Sequence, residues 1–351
     1  VSLGVNLGPR VLAPAATGAA EFFSSNGGDP DRVFGETGID PDSTVDPTLD
    51  LGLINYCRLF EQAARWTQND NIGLWFGQQF KPRQLGMLGY VAIHSPTLKS
   101  GLRNLVDMFP YHQQATLMQL SDVDASKNSD GLLKLEYQIN DGRIVAQRQD
   151  AELSLGMFVN IFRHCLGYGW APEEIHFEHP TPESPKEHER AFNAPVYFSQ
   201  PTNAIVFKRD VLDSPMPGHD LRLLGILLSC LTQLGSGDIA EPGIVDRVRG
   251  LLRSQLADGY QTLDEIADEL QLPVWTLQRR LADDGLTYKE LVESTRRDLA
   301  FMYLRQSHIP ISEIAFLLGY SELSAFSRAF HRWTGAAPMT WRRQALMQTR
   351  N

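Results

Sequence analysis

The chain has 351 residues, a formal net charge of −10 and three cysteines, Cys57, Cys165 and Cys230, an odd number spaced far apart. That length predicts two domains, and the cysteine usage suits a reducing cytoplasm rather than a disulfide framework. No apolar run reaches the ~18–20 residues a membrane span needs, and the start shows no basic region followed by an apolar signal core.

Residues 1–20 are small and rich in Gly, Ala and Pro, and read as a flexible arm. Residues 21–234 read as one α+β domain. Alternation near Ala19–Ser25 carries Phe22 and Phe23, and a Gly-rich turn leads to a short helix from Pro30 to Glu36. Helices are predicted over Leu53–Thr67, Asn71–Phe80 and Leu98–Phe109, with Leu85–Ile93 apolar and punctuated by glycine. Thr116–Leu120 and Leu132–Ile139 are strand-like, and Asp141-Gly142 is a turn signal. A helix from Asp150 to Leu166 ends at Gly167. Glu174–Phe177, Ala194–Phe198 and Ala204–Lys208 are short strands, with a charged loop between the first two. On the helix Asp220–Leu234, Leu221, Leu224, Leu228 and Leu231 recur at 3-4-3 spacing, which suits either a dimer seam or packing on its own domain.

Residues 235–243 break the pattern with Gly, Ser and Pro and read as a linker. From 244 to 351 everything is helical. TLDEIADELQLPVWTLQRRL opens on a capping box, Thr262 with Glu265. Its first helix buries Ile266, Ala267 and Leu270. Pro273 then starts a second helix that buries Leu277 and Leu281 and leaves Trp275, Gln278 and Arg279 on its free face. ISEIAFLLGYSELSAFSRAFHRW repeats the plan. Ile314, Ala315 and Leu318 answer Ile266, Ala267 and Leu270 at an offset of 48; Phe326, Arg328 and Phe330 answer Leu277, Arg279 and Leu281 at 49. The extra residue falls in Gly319-Tyr320-Ser321. Between the units, a capping box of Thr287 with Glu290 opens a long amphipathic helix, Tyr288 to Gln306. The expected architecture is an α+β domain followed by an all-α domain of two tandem helix-turn-helix units joined by a long helix.

IPISEIAFLLGYSELSAFSRAFHRWTGAAPMTWR resembles the signature of the AraC/XylS family of bacterial transcription regulators, and the resemblance covers about the last 100 residues. One departure is Pro273, where the family usually places a serine as helix N-cap. GLWFGQQFKPRQLGMLGYVAIHSPTLKSGLRNL and EIHFEHPTPESPKEHERAFNAPVYFSQPTNAIVFKRDVLDSPMPG are similar to the "arabinose-binding domain" type of N-terminal domain in that family. The label is a family name and does not make arabinose the ligand.

The second helix of each unit reads the major groove in such domains. The exposed residues are Trp275, Gln278 and Arg279 on the first and Leu323, Ser324 and Arg328 on the second, and the resemblance places base contacts at the same positions. Arginine pairs bidentately with guanine, glutamine with adenine, and an apolar side chain meets the thymine methyl. Arg296, Arg297, Arg332 and Arg342 read as structural pairs or phosphate contacts. Residues 244–351 carry about +1 and residues 1–243 about −11, so the acidic half leaves one face for DNA.

His176, His179 and His188 lack zinc-site spacing and read as structural or solvent-facing. No nucleophile elbow, phosphate loop or paired-carboxylate site is present, and Gly86–Gly89 lacks the strand-and-helix context of a dinucleotide loop; no enzyme activity and no cofactor are expected. Tyr90, Phe109 and Tyr111, and Phe158, Phe162, Tyr168 and Trp170, are candidates to line an effector pocket or ordinary core aromatics. The acidic excess would suit a cationic or amine-bearing effector. The expected partners are double-stranded promoter DNA, a small-molecule effector, RNA polymerase and a second copy of the chain, with no membrane. A nucleic-acid-modifying enzyme would need a catalytic cysteine that is missing; a ligand-independent DNA-binding regulator whose first domain only dimerises is the other alternative.

Overall fold

The computed structural model describes residues 8–123, 131–235, 243–256, 259 and 261–348. Internal contacts divide the chain into two units, Val1–Ile139 with Ala146–Glu241, and Asn140–Val145 with Pro242–Asn351. The expected linker falls mostly on 236–242, which lie outside the described residues.

The first unit is α+β. Its helices are α1 (Ala19–Ser25), α2 (Pro30–Thr37), α3 (Leu53–Thr67), α4 (Ile72–Gln79), α5 (Gly86–His94), α6 (Leu98–His112), α7 (Arg148–Leu166), α8 (Pro185–Phe192) and α9 (Leu221–Gly235). Strands β1 (Arg10–Leu12) and β2 (Asp50–Gly52) form an antiparallel pair. Strands β3 (Thr116–Asp122), β4 (Leu132–Ile139), β5 (Glu174–His176), β6 (Val196–Tyr197) and β7 (Asn203–Lys208) form a sheet in the order β3-β4-β7-β5-β6. All its pairings are antiparallel except β5 with β6.

Strand β4 alternates as its sequence predicts: Leu133, Leu135, Tyr137 and Ile139 are all buried. Its other face is sealed as well. Glu136 is buried there, but takes hydrogen bonds from Gln119 Nε2 (2.8 Å), Ser121 Oγ (2.7 Å) and Thr202 Oγ1 (3.0 Å) and pairs with Lys134 (2.6 Å). Burial works to raise its pKa, but these partners outweigh it and hold the carboxyl below its usual value.

Helix α7 is the hub. Unlike a surface helix, it is buried nearly all round from Gln149 to Phe162. It crosses α4 at glycine: a Cβ on Gly77 would run into the Leu153 backbone, and one on Gly156 would meet the Gly77 backbone at 2.7 Å. The two helices therefore touch main chain to main chain, and Asn160 Nδ2 bonds the carbonyls of Gly77, Gln78 and Phe80 at 2.9–3.0 Å. Phe23, Phe34, Phe60, Phe76 and Phe80 pack beside this crossing.

Several expectations are corrected. Residues 8–20 are no loose arm. β1 pairs with β2, and Ala13–Ala16 form a buried 3-10 turn, because their small side chains fill narrow core space. Ala19–Ser25 is a helix rather than an alternating segment, and the apolar stretch Leu85–Ile93, given no element from the sequence, is helical over Gly86–His94. The charged loop after β5 holds α8, which turns His188, Ala191 and Phe192 inward. On α9, Leu224 and Leu231 are buried within their own domain, while Leu221 and Ile226 are 60% and 61% exposed. The 3-4-3 stripe is thus divided: Leu224 and Leu231 are core, Leu228 is half-buried, and Leu221 is exposed at the start of the helix, with Ile226 exposed off the stripe.

The helices of the second unit are α10 (Ile244–Gln255), α11 (Leu263–Glu269), α12 (Val274–Asp283), α13 (Tyr288–Arg305), α14 (Ile311–Leu317), α15 (Leu323–Thr334) and α16 (Pro338–Gln348). They enclose two cores. Val248, Leu252, Ile266, Ala267, Leu277 and Leu281 form one with Leu291 and Val292 from the start of α13. Ile314, Ala315, Leu318, Phe326 and Phe330 form the other with Leu299, Ala300 and Leu304 from its end. Helix α13 therefore serves both helix-turn-helix units.

Candidate functional site

The two helix-turn-helix units repeat each other at the level of single hydrogen bonds. In the first turn, Gln271 N–H bonds Asp268 O (3.0 Å) and Leu272 N–H bonds Ala267 O (2.9 Å). In the second, Gly319 N–H bonds Phe316 O (2.8 Å) and Tyr320 N–H bonds Ala315 O (2.9 Å). Both are Schellman closures, which require a left-handed residue just past the helix end. Gln271 (φ 53°) and Gly319 (φ 71°) supply it. The offset is 48 through this closure and 49 from the start of the next helix, Val274 against Leu323, so the inserted residue sits after Gly319.

Both capping boxes form. Thr262 and Glu265 exchange bonds of 2.7 and 3.3 Å, and Thr287 and Glu290 of 2.8 and 3.3 Å. Pro273 is itself the N-cap of α12, with φ −60° and no side-chain bond. Glu322 caps α15 with no side-chain bond either. The missing serine leaves the helix start in place, because proline fixes the extended geometry that an N-cap needs.

On α12, Trp275 is 63% exposed, and Gln278, Arg279 and Arg280 are exposed with it. The Arg279 guanidinium lies 5.4 Å from the centroid of the Trp275 ring. On α15, Leu323 is 44% exposed, Ser324 and Arg328 are exposed, and Ser324 Oγ donates to Glu322 Oε2 at 2.9 Å. Arg279, Arg280 and Arg328 have no carboxylate partner among the described residues. The framework arginines are engaged instead. Arg296 Nε bonds Leu318 O (2.9 Å), Arg332 pairs with Glu293 (2.7 Å), and Arg342 Nε bonds Leu304 O (3.2 Å). On α15 the two kinds of arginine stand side by side: Arg332 is held by Glu293, whereas Arg328 has no carboxylate partner among the described residues.

The aromatic candidates in the first unit do not converge on one pocket. Phe109 and Phe158 pack edge-on with Tyr137 at 5.6–5.9 Å. Phe162 stacks on Trp170 at 4.7 Å and meets Phe207 at 4.8 Å. Tyr90 stacks on His94 at 5.9 Å. Tyr168 is 90% exposed; it follows the Gly167 helix stop and points away from the core. Tyr111 borders a space of only about 30 Å³ beside Arg10, His112 and Gln114.

Sequence reading missed a buried ionic cluster on α7. Glu152 Oε1 takes Arg148 Nε (2.7 Å) and His188 Nε2 (2.8 Å), with His179 Nε2 at 3.4 Å. Arg148 also binds Asp70 and, at 3.0 Å, Asn71 Oδ1. Burial works to raise the Glu152 pKa, but Arg148 and the two histidines outweigh it and hold it at about 2. The histidines converge on one oxygen of one carboxylate, which is structural geometry. Two residues before Glu152, Asp150 Oδ2 accepts from Tyr137 Oη (2.8 Å) and Oδ1 has no partner among the described residues; burial pushes this carboxyl up to about 7.

A group whose folded pKa is raised stabilises the fold fully below its unfolded value, and that stability is lost as pH rises through the folded value. For Asp150 the window runs from its ordinary 3.8 to about 7. His179, pushed down to about 4 chiefly by burial, acts oppositely below 6.5, so a difference between variants isolates the carboxyl. The melting temperature of Asp150→Asn minus that of the native chain should grow from pH 4 to 7 and level off above. A difference independent of pH would show that Asp150 is ionised throughout.

A domain with a helix-turn-helix repeat, exposed arginines on both second helices that meet no carboxylate among the described residues, and an appended α+β unit defines a DNA-binding transcription regulator. Residues 27–216 match the model described as the arabinose-binding domain of AraC transcription regulator, N-term, and residues 266–344 match a helix-turn-helix domain model. The chain belongs to the AraC-type transcription regulators. It is similar to the HTH-type transcriptional regulator VirS of Mycobacterium tuberculosis, with 28% identity over 346 residues, 96% of this chain and 98% of that protein. It is similar to the ornithine utilization regulator of Pseudomonas aeruginosa, with 25% identity over 345 residues, 94% of this chain and 96% of that protein. The crystal structure of the transcriptional regulator CdpR from Pseudomonas aeruginosa aligns with a TM-score of 0.42 and 20% identity, over 92% of this chain and 98% of that one. Among the described residues no helix is long and apolar enough to cross a membrane.

Proposed function

We propose that the chain binds promoter DNA through Trp275, Gln278 and Arg279 of α12 and Leu323, Ser324 and Arg328 of α15, in response to a small molecule held by the first unit. The observation that carries this reading is that Arg279 and Arg328, at equivalent helix positions, have no carboxylate partner among the described residues, whereas Arg296, Arg332 and Arg342 are engaged. A free guanidinium on an exposed helix face is ready for a bidentate contact to guanine. Activation through contact with RNA polymerase and action in the cytoplasm complete the reading. Similarity to a regulator of ornithine utilization supports a small metabolite as the signal. The homodimer would use the exposed positions of α9 around Leu221 and Ile226. Any effector acts by binding one arrangement of the protein better than another.

Arg279→Ala should lower affinity for the cognate site by about 1–3 kcal/mol and leave binding to random DNA nearly unchanged, measured by fluorescence anisotropy at fixed salt. Equal loss on both DNAs would make Arg279 a phosphate contact. The second reading, a ligand-independent regulator whose first unit only dimerises, draws support from the closely packed aromatics of that unit. Promoter affinity unaltered by any metabolite would favour it.

A further inference from the structure

We infer that a groove between α1, α4 and α7 takes a small carboxylate-bearing molecule with a flat apolar body; this deepens the effector reading above and rests on it. The groove is about 540 Å³ and is lined by Phe22 and Asn26 of α1, Trp75, Gln78 and Gln79 of α4, and Arg163 of α7.

Arg163 decides the sign of the ligand. It is half-buried, and it has no ion pair among the described residues. Its hydrogen bonds go to neutral backbone carbonyls and are long: Nε to Trp170 O (3.3 Å), and Nη2 to Ala191 O (3.4 Å) and Phe192 O (3.3 Å). Nη1 has no hydrogen-bond partner among the described residues. Arg148, four turns earlier on the same helix, is matched by two carboxylates. A partly desolvated guanidinium facing a groove without a carboxylate is an anion acceptor, and its planar fork fits a carboxylate best.

The rest of the lining supplies the body of the site. Trp75 is 42% exposed, on the outward stripe of α4 that it shares with Gln78 and Gln79, so its ring forms an open apolar wall. Phe22 also lines the groove, held against Phe76 at 5.3 Å. Gln78 donates its Nε2 to Ala191 O (2.7 Å) and Asn26 its Nδ2 to Phe22 O (2.8 Å), so both amides are oriented in advance. The glycine crossing of α4 on α7 fixes Trp75 and Arg163 on two helices that cannot slide apart without losing main-chain contact. The acidic charge of the whole domain favours cations at long range, but a ligand in contact with Arg163 meets the guanidinium first.

The test is calorimetric titration of the full chain with a matched pair of probes, indole-3-acetate and tryptamine, and with inorganic phosphate. The acid should bind about tenfold tighter than the amine, the worth of one charge-assisted contact. Arg163→Gln should abolish that preference, and Trp75→Ala, its fold checked by circular dichroism, should weaken the acid severalfold. Equal or tighter binding of tryptamine, competition by equimolar phosphate, unaltered binding in both variants, or no binding of the acid at millimolar concentration would each overturn the site. Parallel DNA titrations separate the two readings. Arg163-dependent binding of the acid without change in DNA affinity keeps the site and removes the effector role. A different metabolite that shifts DNA affinity while the acid fails to bind keeps the effector role and removes this site.

Discussion

Arg148→Met should destabilise the first unit by about 3–5 kcal/mol, the usual result of removing one partner from a buried ion pair. The loss comes less from the contact than from what it leaves behind. Glu152 is fully buried, and its Oε2 already lacks a partner. Without Arg148 it would keep only His188 and His179, and His179 is held largely neutral by burial. Methionine fills the volume but supplies no charge and no donor for Asp70 and Asn71. Arg148→Lys should recover only part of the loss, because an ammonium lacks the fork that reaches Glu152, Asp70 and Asn71 together. Urea unfolding followed by circular dichroism measures both variants. A loss below about 1 kcal/mol for Arg148→Met, the worth of an exposed pair, would show that the cluster is hydrated.

Gly319→Ala should cost the second unit about 2 kcal/mol or more, and Gln271→Gly should stabilise it by about 0.5–1 kcal/mol. The two positions are the same place in the repeat. Both hold the left-handed residue of a Schellman closure, at φ 71° and φ 53°. At Gly319 a Cβ would also meet Leu256 O at 2.5 Å, where the backbone leaves no room. Gln271 is exposed and already bears the left-handed strain, which glycine would relieve. Thermal melts of the two variants should therefore move in opposite directions. A loss in both would mean that Gln271 is held by its side chain rather than tolerated for its backbone.

Local signals made the second unit legible. Thr262 with Glu265 and Thr287 with Glu290 announce helix starts within four residues, and the repeat of Ile-Ala-x-x-Leu needs no knowledge of distant contacts. The change of offset from 48 to 49 even located the inserted residue. The first unit was legible where periodicity is strong, as in α3 and β4, and failed where burial depends on a remote partner. Ala13–Ala16 look like a loose arm until β1 meets β2 some forty residues later. PKEHERAF looks solvated until His188 turns toward Glu152. The helix read from the sequence begins at Asp150, two residues after Arg148, so the Arg148–Glu152 pair falls outside it, and only the fold brings Asp70, His179 and His188 to that pair. The Trp75–Arg163 groove unites helices far apart in sequence, so no window along the chain contains it.

The most direct test of the account is selection of bound duplexes from a random DNA pool by the native chain, by Arg279→Ala and by Arg328→Ala. The account predicts that the native chain enriches two conserved segments about one helical turn, ~34 Å, apart. Arg279→Ala should relax the base preference in one segment and Arg328→Ala in the other. The same enriched sequence from all three proteins, or a single segment relaxed by both variants, would contradict the assignment of one reading helix to each unit.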